Sequence, residues 1–278
     1  MIKSILLAAD ASKHSSAARE HALELAATYG ARLTAVNVLD VRLLEMPPYL
    51  DYAYPFETIP PAQFPVELLE SFRVKAERVL EEARLAAEDR GVKVETRLEE
   101  GVPGEVLAEL GDAHDLIVIG KRGEHARWGK DMLGTVTEEL VRRATTPVLL
   151  ADEEYRPLRS FLLLYDGSHP ANQALKLTAD MAAHLKVPVK VMTSAGLPEQ
   201  AEAVQQEARK YLEAVEVAAV FRQVQGPIEV RAAEEVEAES IDLTVIGRKG
   251  YSILHRLILG SSAEQLMRDL PTPVLLVP

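Results

Sequence analysis

Two kinds of segment alternate along the whole chain. Short, nearly continuous apolar runs, such as residues 115–119 and 242–246, are separated by longer segments whose apolar residues recur every three or four positions. The first pattern is typical of strands buried on both faces, and the second of amphipathic helices that pack against them. The alternation of strand and helix predicts parallel sheets with right-handed crossovers, which is the doubly wound α/β fold.

The pattern predicts five strands and four helices in each half of the chain. The strands fall near residues 3–9, 32–39, 92–98, 115–119, 147–151, 160–165, 187–193, 215–222, 242–246 and 273–277. The helices fall near residues 14–29, 67–90, 104–112, 135–144, 169–185, 198–213, 228–239 and 261–269. Ser12 and Ser168 precede the first helix of each half and are suited to cap it, because a serine hydroxyl accepts a hydrogen bond from a first-turn amide.

The sequence repeats itself once. Matching apolar runs, SILLAAD and SFLLLYD, end at Asp10 and Asp166, and DLIVIGKRG and DLTVIGRKG begin at residues 115 and 242. The sequence TPVLL also occurs twice. A single repeat this long indicates a tandem duplication rather than a solenoid. We therefore predict one domain over residues 1–152 and a second over residues 157–278.

The first copy contains an insertion, residues 40–66, with no equivalent in the second. It holds six of the 16 prolines of the chain, a density that excludes a long helix. We interpret it as a loop packed across the domain edge or on the other half. The alternatives are a lid over a site in the first copy or a docking surface for a partner.

Composition narrows the classes of function. The chain has 278 residues, 47% apolar and 27% charged, and no apolar run approaches the roughly 20 residues of a membrane helix. The absence of cysteine excludes disulfides and thiolate metal sites and fits a cytoplasmic protein. A net charge of −12 argues against nucleic acid as a partner. We thus expect neither a membrane nor a nucleic-acid partner.

The candidate chemistry lies at the ends of the first and fourth strands, because open α/β sheets bind ligands at the carboxyl ends of strands. The first strand ends in aspartate, and the fourth is followed by a glycine series that closes on hydroxyl residues. Glycine lets the backbone approach a bulky anion, and the last glycine opens a helix whose free amides attract negative charge. The two series are Gly120, Gly123, Gly134, Thr135, Val136 and Thr137 in the first copy, and Gly247, Gly250, Gly260, Ser261 and Ser262 in the second.

The loops that carry these glycines are locally basic. Lys121 and Arg248 directly follow the fourth-strand glycine, and each loop is net positive in an acidic protein. This arrangement predicts a triphosphate ligand. Asp10 and Asp166 would repel phosphates unless they meet a ribose or base donor, or a bound Mg²⁺.

Motifs of common catalytic classes are absent. The chain has no Walker A sequence, no G-x-G-x-x-G after a strand, no H-E-x-x-H and no G-x-S-x-G. Its seven histidines show no metal-ligand spacing. No nucleophile or general base is positioned with an activating partner, so fast catalysis is not predicted.

The aspartate after the first strand, the spacing G-x2-G-x9-G-(S/T) after the fourth and TPVLL as the fifth together resemble the universal stress protein family, in its ATP-binding branch and in tandem form. The resemblance covers the whole chain twice. It implies two five-stranded parallel sheets of strand order 3-2-1-4-5, the adenine-nucleotide alpha-hydrolase-like fold, related by a pseudo-two-fold axis. It also implies contact between the halves through the fifth strands and leaves open whether whole chains pair further.

The resemblance further implies ATP, alone or with Mg²⁺, as the ligand of each copy. Asp10 and Asp166 would lie near the adenosine, and Val38 and Thr193, at the end of the second strand, would meet the adenine through their backbone. The glycines and hydroxyl residues of both series would bind ribose and phosphates. The second copy matches the family spacing fully, whereas the first has ten spacer residues instead of nine between Gly123 and Gly134.

The predicted function is an ATP-binding stress-response regulator in which ATP is a conformational ligand, with at most slow hydrolysis. One alternative is an ATP-dependent adenylating enzyme, although the phosphate motif of such enzymes is missing from the turn after the first strand. The other alternative is a nucleotide-free scaffold that uses the sheet edges and residues 40–66.

Overall fold

A computed structural model describes residues 1–43, 64–124, 133–248 and 261–278. Most of the predicted insertion, residues 44–63, lies outside the described residues, as do Gly250 and Gly260. The strands are β1 Ser4–Ala8, β2 Arg32–Asp40, β3 Val94–Gly101, β4 Leu116–Gly120, β5 Val148–Ala151, β6 Phe161–Leu164, β7 Val189–Ser194, β8 Ala219–Val224, β9 Leu243–Gly247 and β10 Val274–Val277. The helices are α1 Lys13–Tyr29, α2 Phe64–Glu88, α3 Pro103–Gly111, α4 Thr135–Arg143, α5 His169–Leu185, α6 Pro198–Ala214, α7 Ile228–Ala238 and α8 Ser261–Asp269.

The strands form one continuous sheet of order β3-β2-β1-β4-β5-β10-β9-β6-β7-β8. Each half has the predicted order 3-2-1-4-5 with parallel pairing throughout. The halves meet where β5 pairs antiparallel with β10, with Leu149 opposite Leu275. The predicted contact through the fifth strands is therefore present within one chain, and it joins two five-stranded sheets into one of ten strands.

Each face of the sheet carries one hydrophobic layer that runs through both halves. One layer packs α1, α2, α5 and α6 against the sheet, and the other packs α3, α4, α7 and α8. β4 is buried along its whole length, and so is β9 up to its terminal glycine, as expected for strands covered on both faces. Continuity of both layers across the β5–β10 seam makes the two halves one packed unit.

The predicted helix caps are confirmed, and two strand starts are corrected. Ser12 Oγ accepts from Ser15 N at 3.0 Å, and Ser168 Oγ accepts from the first turn of α5. β3 and β8 begin at residues 94 and 219 rather than near 92 and 215. Val92 and Val217 are buried, but their amides donate to α2 and α6 carbonyls, so these apolar residues close the preceding helices instead of opening the strands.

Candidate functional site

A pocket of about 410 Å³ opens at the carboxyl ends of β1, β2 and β4, between α2 on one side and α3 and α4 on the other. The strand order makes β1 and β4 neighbours, so the turns that follow them border the same crevice. All the site residues predicted for the first copy line this pocket: Asp10, Val38, Gly120, Gly123, Gly134, Thr135, Val136 and Thr137.

Asp10 is held at the pocket wall by backbone amides. Its Oδ1 accepts from Ser12 N at 2.8 Å, and its Oδ2 accepts from Glu124 N at 3.1 Å. Ser12 Oγ also donates to Arg122 O at 3.3 Å. These bonds tie the turn after β1 to the turn after β4, and they fix the carboxylate while leaving further lone pairs for a ligand donor.

The glycines after β4 permit close backbone contacts in this loop. A Cβ on Gly123 would lie 2.8 Å from Asp10 Oδ2, and one on Gly134 would lie 3.2 Å from Gly123 N. Gly134 N donates to Lys121 O at 2.9 Å, so the base of the loop is closed although its spacer has ten residues. Gly134 also caps α4 without a side-chain hydrogen bond, which leaves first-turn amides for an anion.

Gly120 and Gly247 have a packing role that the sequence analysis did not assign. A Cβ on Gly120 would lie 2.7 Å from His14 Cβ, and one on Gly247 would lie 2.6 Å from Pro170 C. Each glycine therefore lets the first turn of a helix, α1 or α5, approach the end of the fourth strand. Thr137 also has a structural role, because its buried hydroxyl donates to Gly120 O at 2.8 Å instead of pointing toward a ligand.

Lys121 does not serve the pocket, contrary to the prediction from loop charge. It is 3% exposed, and its Nζ donates to Asp152 Oδ2 at 2.7 Å and to the carbonyl oxygens of Leu270 and Thr272 in the second half. Burial alone would raise the pKa of Asp152, yet the Lys121 ammonium lowers it below its usual value. Arg248, at the matching position, reaches in the opposite direction and donates to Val141 O at 2.8 Å.

The described lining of the pocket is mixed in charge. Its acidic side chains outnumber its basic ones, and the ammonium of Lys75 on α2 forms an ion pair with Glu124 across the pocket mouth. The acidic members are Asp10, Asp40, Glu100 and Glu124, and the basic members are Lys75 and Arg122. Within the described lining, a polyanion would thus meet positive charge near Arg122, Lys75 and the start of α4.

Two groups of lining residues were missed. Four apolar residues of α2 spaced by three or four positions, Leu69, Phe72, Ala76 and Val79, form one wall. Their helical spacing is visible in the sequence, but it does not tell which strand end the stripe covers. Asn37 also lines the pocket, and its Nδ2 donates to Ala9 O at 2.7 Å.

The strand register corrects one predicted residue of the second half. Leu33 pairs with Ile5 in the first half, and Val189 pairs with Phe161 in the second, so Leu33 and Val189 occupy matching positions. Five residues further along each strand, Ser194 is therefore the counterpart of Val38. Thr193 is instead the counterpart of Asn37. It is buried, and its Oγ1 donates to Tyr165 O at 2.8 Å just as Asn37 donates to Ala9 O.

The other predicted residues of the second half are only partly described. Asp166 is exposed near the start of the turn between β6 and α5, and its Oδ1 accepts from Ser168 N at 3.0 Å. Gly247 ends β9, and Ser261 and Ser262 begin α8. Residues 249–260, with Gly250 and Gly260, lie outside the described residues.

Neither a membrane span nor a metal cluster is found in the part of the chain that the structure describes. No helix there is long and apolar enough to cross a membrane. No three histidine, aspartate or glutamate side chains in those ranges are grouped to hold a metal ion.

Comparison with known proteins places this chain in a family. The family model described as "Universal stress protein family" matches residues 1–152 and 157–278. A universal stress protein from Synechocystis is 24% identical over 284 aligned positions, which cover 99% of each chain. One from Methanocaldococcus jannaschii is 31% identical over 153 positions, which cover 54% of this chain and 82% of the relative.

A solved structure shows the same fold over nearly the whole length. The crystal structure of a universal stress protein from Archaeoglobus fulgidus matches with a TM-score of 0.78 and 20% identity, covering 99% of this chain and 97% of that one. Two adjoining matches to one family model, together with this fold, lead to one conclusion. The chain belongs to the universal stress protein family, in a tandem form that carries the family domain twice.

Proposed function

We propose that the first half binds ATP as a ligand that selects a conformation of the protein, with at most slow hydrolysis, and that the protein is a cytoplasmic stress-response regulator. The observation that carries this proposal is the convergence of the predicted first-half residues on one pocket of about 410 Å³. That volume lies within the usual range for small-molecule sites, roughly 300–1,000 Å³.

The pocket offers a different environment for each part of a nucleotide. Val36, Val38 and Leu39 supply apolar surface and backbone groups for a base. The fixed carboxylate of Asp10 can accept hydrogen bonds from ribose hydroxyls. Gly123 and the uncapped start of α4 supply room and amide donors for phosphates.

The same lining supports binding rather than rapid turnover. Both oxygens of Asp10 accept backbone hydrogen bonds, and the Ser15 hydroxyl accepts from Asp10 N at 2.8 Å. Among the described lining residues, no hydroxyl is paired with a general base. We therefore expect phosphate release far below the roughly 1–1,000 s⁻¹ of typical enzymes.

Mg²⁺ should strengthen ATP binding. The described lining has four carboxylates against two basic side chains, so a bare triphosphate tail meets net repulsion. A cation carried by the ATP would reduce this repulsion. The measurement is a calorimetric titration of ATP with Mg²⁺ and again with EDTA, and equal affinities would contradict this part of the proposal.

A matched pair of variants tests the site itself. Asp10→Asn loses the acceptor for either Ser12 N or Glu124 N and removes the charge beside the ribose, so ATP should bind at least about tenfold more weakly. Asp166→Asn makes the same change in the second half and reports that half separately. Equilibrium dialysis with the full chain gives affinity and stoichiometry. No ATP uptake by the wild type, or uptake unchanged in Asp10→Asn, would contradict the proposal.

The second half carries the corresponding set of residues. We propose Asp166, Gly247, Gly250, Gly260, Ser261 and Ser262 as its nucleotide ligands, with Ser194 replacing Thr193 at the end of β7. Two ATP molecules bound per chain, one of them lost in Asp166→Asn, would support this second site. One molecule per chain, lost only in Asp10→Asn, would restrict the function to the first half.

A further inference from the structure

A second, smaller chamber of about 220 Å³ adjoins the pocket in the groove between α1 and α2. The residues that it shares with the pocket are Ala9, Asp10, Ala11, Ser15, Lys75 and Val79, and its other lining residues all belong to α1 and α2. The residues that line only the chamber are mainly polar: Ser16, Arg19, Arg78, Glu82 and Ala83. Nothing in the predicted nucleotide site accounts for this space.

In the second half a tyrosine takes the corresponding place. The strand register puts Tyr165 where the first half has Ala9. Tyr165 is buried, and its hydroxyl donates to Asn172 Oδ1 at 2.6 Å. Asn172 is the α5 counterpart of Ser16 in the chamber wall, since both helices follow their capping serines at the same spacing. The phenol therefore extends into the region that is open in the first half.

A contact with α6 supports the same conclusion. Burial, together with the carboxylate of Glu207, raises the pKa of Tyr165 to about 12. The amides of Val92 and Val217 each donate to the carbonyl five residues earlier, at the end of α2 and of α6, so these two valines occupy matching positions. Glu82 and Glu207 each lie ten residues before them and are therefore counterparts. Tyr165 thus spans from α5 to α6, as the chamber spans from α1 to α2.

The positive charges of the chamber are also confined to the first half. Three cations line it, and in the second half each is replaced by an uncharged residue. Because the small residue and the cations occur together and are absent together, the open space and its charge form one feature. The pairs are Arg19 with Leu175, Lys75 with Gln200, and Arg78 with Ala203.

One N–H group of the Arg19 guanidinium lacks a hydrogen-bond acceptor in the described structure. Its Nε is buried without a hydrogen-bond partner among the described residues. The nearest carboxylate oxygens lie 3.7 Å from Nε, on Glu20, and 3.9 Å from Nη1, on Glu82, which is beyond hydrogen-bond distance. A buried guanidinium N–H without a partner is unfavourable, and the guanidinium plane matches the paired oxygens of a phosphate or carboxylate.

The carboxylates of the chamber are already engaged. Asp10 accepts from two backbone amides, and Glu82 Oε1 accepts from Arg78 Nε at 3.2 Å. The three cations and two carboxylates that line the chamber sum to a net charge of about one positive unit, in a protein with a net charge of −12. Lys75 also forms an ion pair with Glu124 at the mouth of the pocket, so Arg19 and Arg78 carry most of this positive charge.

We propose that this chamber is a binding subsite for a phosphate-sized oxyanion, held mainly by the guanidinium of Arg19 and flanked by Lys75 and Arg78. The oxyanion is either free or a group of the ligand in the adjoining pocket. The subsite is defined by its own lining, so it stands whether or not the pocket binds ATP.

The test is a titration of the full chain with inorganic phosphate, followed by calorimetry and ³¹P NMR. We expect one phosphate per chain at millimolar affinity, weakened at least tenfold in Arg19→Leu, which installs the residue of the second half. Ala9→Tyr, which fills the chamber as Tyr165 does, should abolish binding. Arg209→Leu is the matched control: it removes an α6 arginine that packs over Phe221 outside the chamber, and it should leave phosphate affinity unchanged.

No phosphate binding by the wild type, or binding equal in the wild type and Arg19→Leu, would overturn the proposal. The second result would place the phosphate elsewhere, for example at the start of α4. Arg19→Leu introduces the residue that the second half has at this position, Leu175, so the variant is expected to fold. The test therefore does not depend on whether Ala9→Tyr folds.

Repeating the titration with saturating adenosine and with saturating ATP identifies the source of the oxyanion. Phosphate binding that persists with both ligands indicates a free oxyanion. Binding that persists with adenosine but disappears with ATP indicates a phosphate of the nucleotide itself. If the wild type binds phosphate but not ATP, the proposed function fails and the subsite remains. If ATP binds and phosphate does not, the reverse holds.

Discussion

The two halves have one strand order but different space around the end of the first strand. In the first half Ala9 leaves a chamber beside the pocket, whereas in the second half Tyr165 is buried at that position. The elements that build the scaffold are the same in both, including the capping serines and the glycines that admit α1 and α5. The comparison teaches that the scaffold is set by residues common to both halves, while the ligand space is set by a few side chains that differ.

The seam between the halves is more symmetric than the sites. Lys121 crosses to the carbonyls near the end of α8, and Arg248 crosses to the end of α4. Each lies directly after a fourth-strand glycine, next to the predicted ligand loop. A loop cation can therefore serve assembly of the halves, and local charge in the sequence does not reveal which role it has.

Removal of the Lys121 ammonium should have the largest effect on stability. Lys121→Met leaves Asp152 and two carbonyls without their buried partner, which should lower the free energy of unfolding by about 3–5 kcal/mol. Arg248→Met should cost less, because Arg248 is only partly buried. Urea unfolding of both variants is the measurement. Equal and small losses would show that neither crossing contact stabilises the seam.

The fourth-strand glycines should tolerate no side chain in either half. Gly120→Ala and Gly247→Ala each place a Cβ within 2.7 Å of a neighbouring helix, so each should lower the free energy of unfolding by about 3 kcal/mol. Gly196→Ala is the control, since a Cβ there has no atom within 4 Å. Thermal and urea unfolding measure the loss. A harmless substitution in one half alone would show that only the other half needs close packing there.

His21 should make stability depend on pH, whereas its counterpart in α5, Leu177, cannot. His21 is fully buried, packs edge-on against Tyr155, and has a pKa that burial lowers from 6.5 to about 4. The unfolded chain therefore binds the proton more readily than the folded one. Stability should be unaffected above pH 6.5 and should fall as the pH drops from 6.5 toward 4, by about 1.4 kcal/mol per unit.

His21→Leu tests this difference directly. Between pH 6.5 and pH 5 the wild type should lose about 2 kcal/mol more than the variant. Burial also raises the pKa of the nearby Glu24, but comparison of the two proteins removes that contribution because both contain it. Parallel pH profiles for the two proteins would contradict the assignment of the pH dependence to His21.

The ion pair at the pocket mouth should have the smallest effect on stability. Lys75→Gln introduces the residue found at the matching position of the second half, Gln200, and removes the ion pair with Glu124. Both side chains of this pair are partly exposed to solvent. Such pairs contribute at most about 1 kcal/mol, and we expect a change below about 0.5 kcal/mol. A loss above 1 kcal/mol in urea unfolding would indicate that the contact between α2 and the loop is part of the fold.

The sequence alone determined the fold class, the duplication, the strand order and the residues gathered at the first-half pocket. The fold class and the duplication follow from periodicity and from repeated motifs, because the spacing of apolar residues reflects which strand and helix faces are buried. The strand order follows from the resemblance to the family. The family pattern also implies that Asp10 and Gly123 lie in one crevice.

Only the tertiary structure decided where individual side chains go. It directed Lys121 into the seam, moved the end of the second strand in the second half from Thr193 to Ser194, and showed that Ala9 opens a chamber that Tyr165 fills. The physical reason is that each outcome depends on which distant element lies opposite the residue. The spacing of apolar residues along the chain indicates that a position is buried, but only the packing of the folded chain determines which residues it contacts.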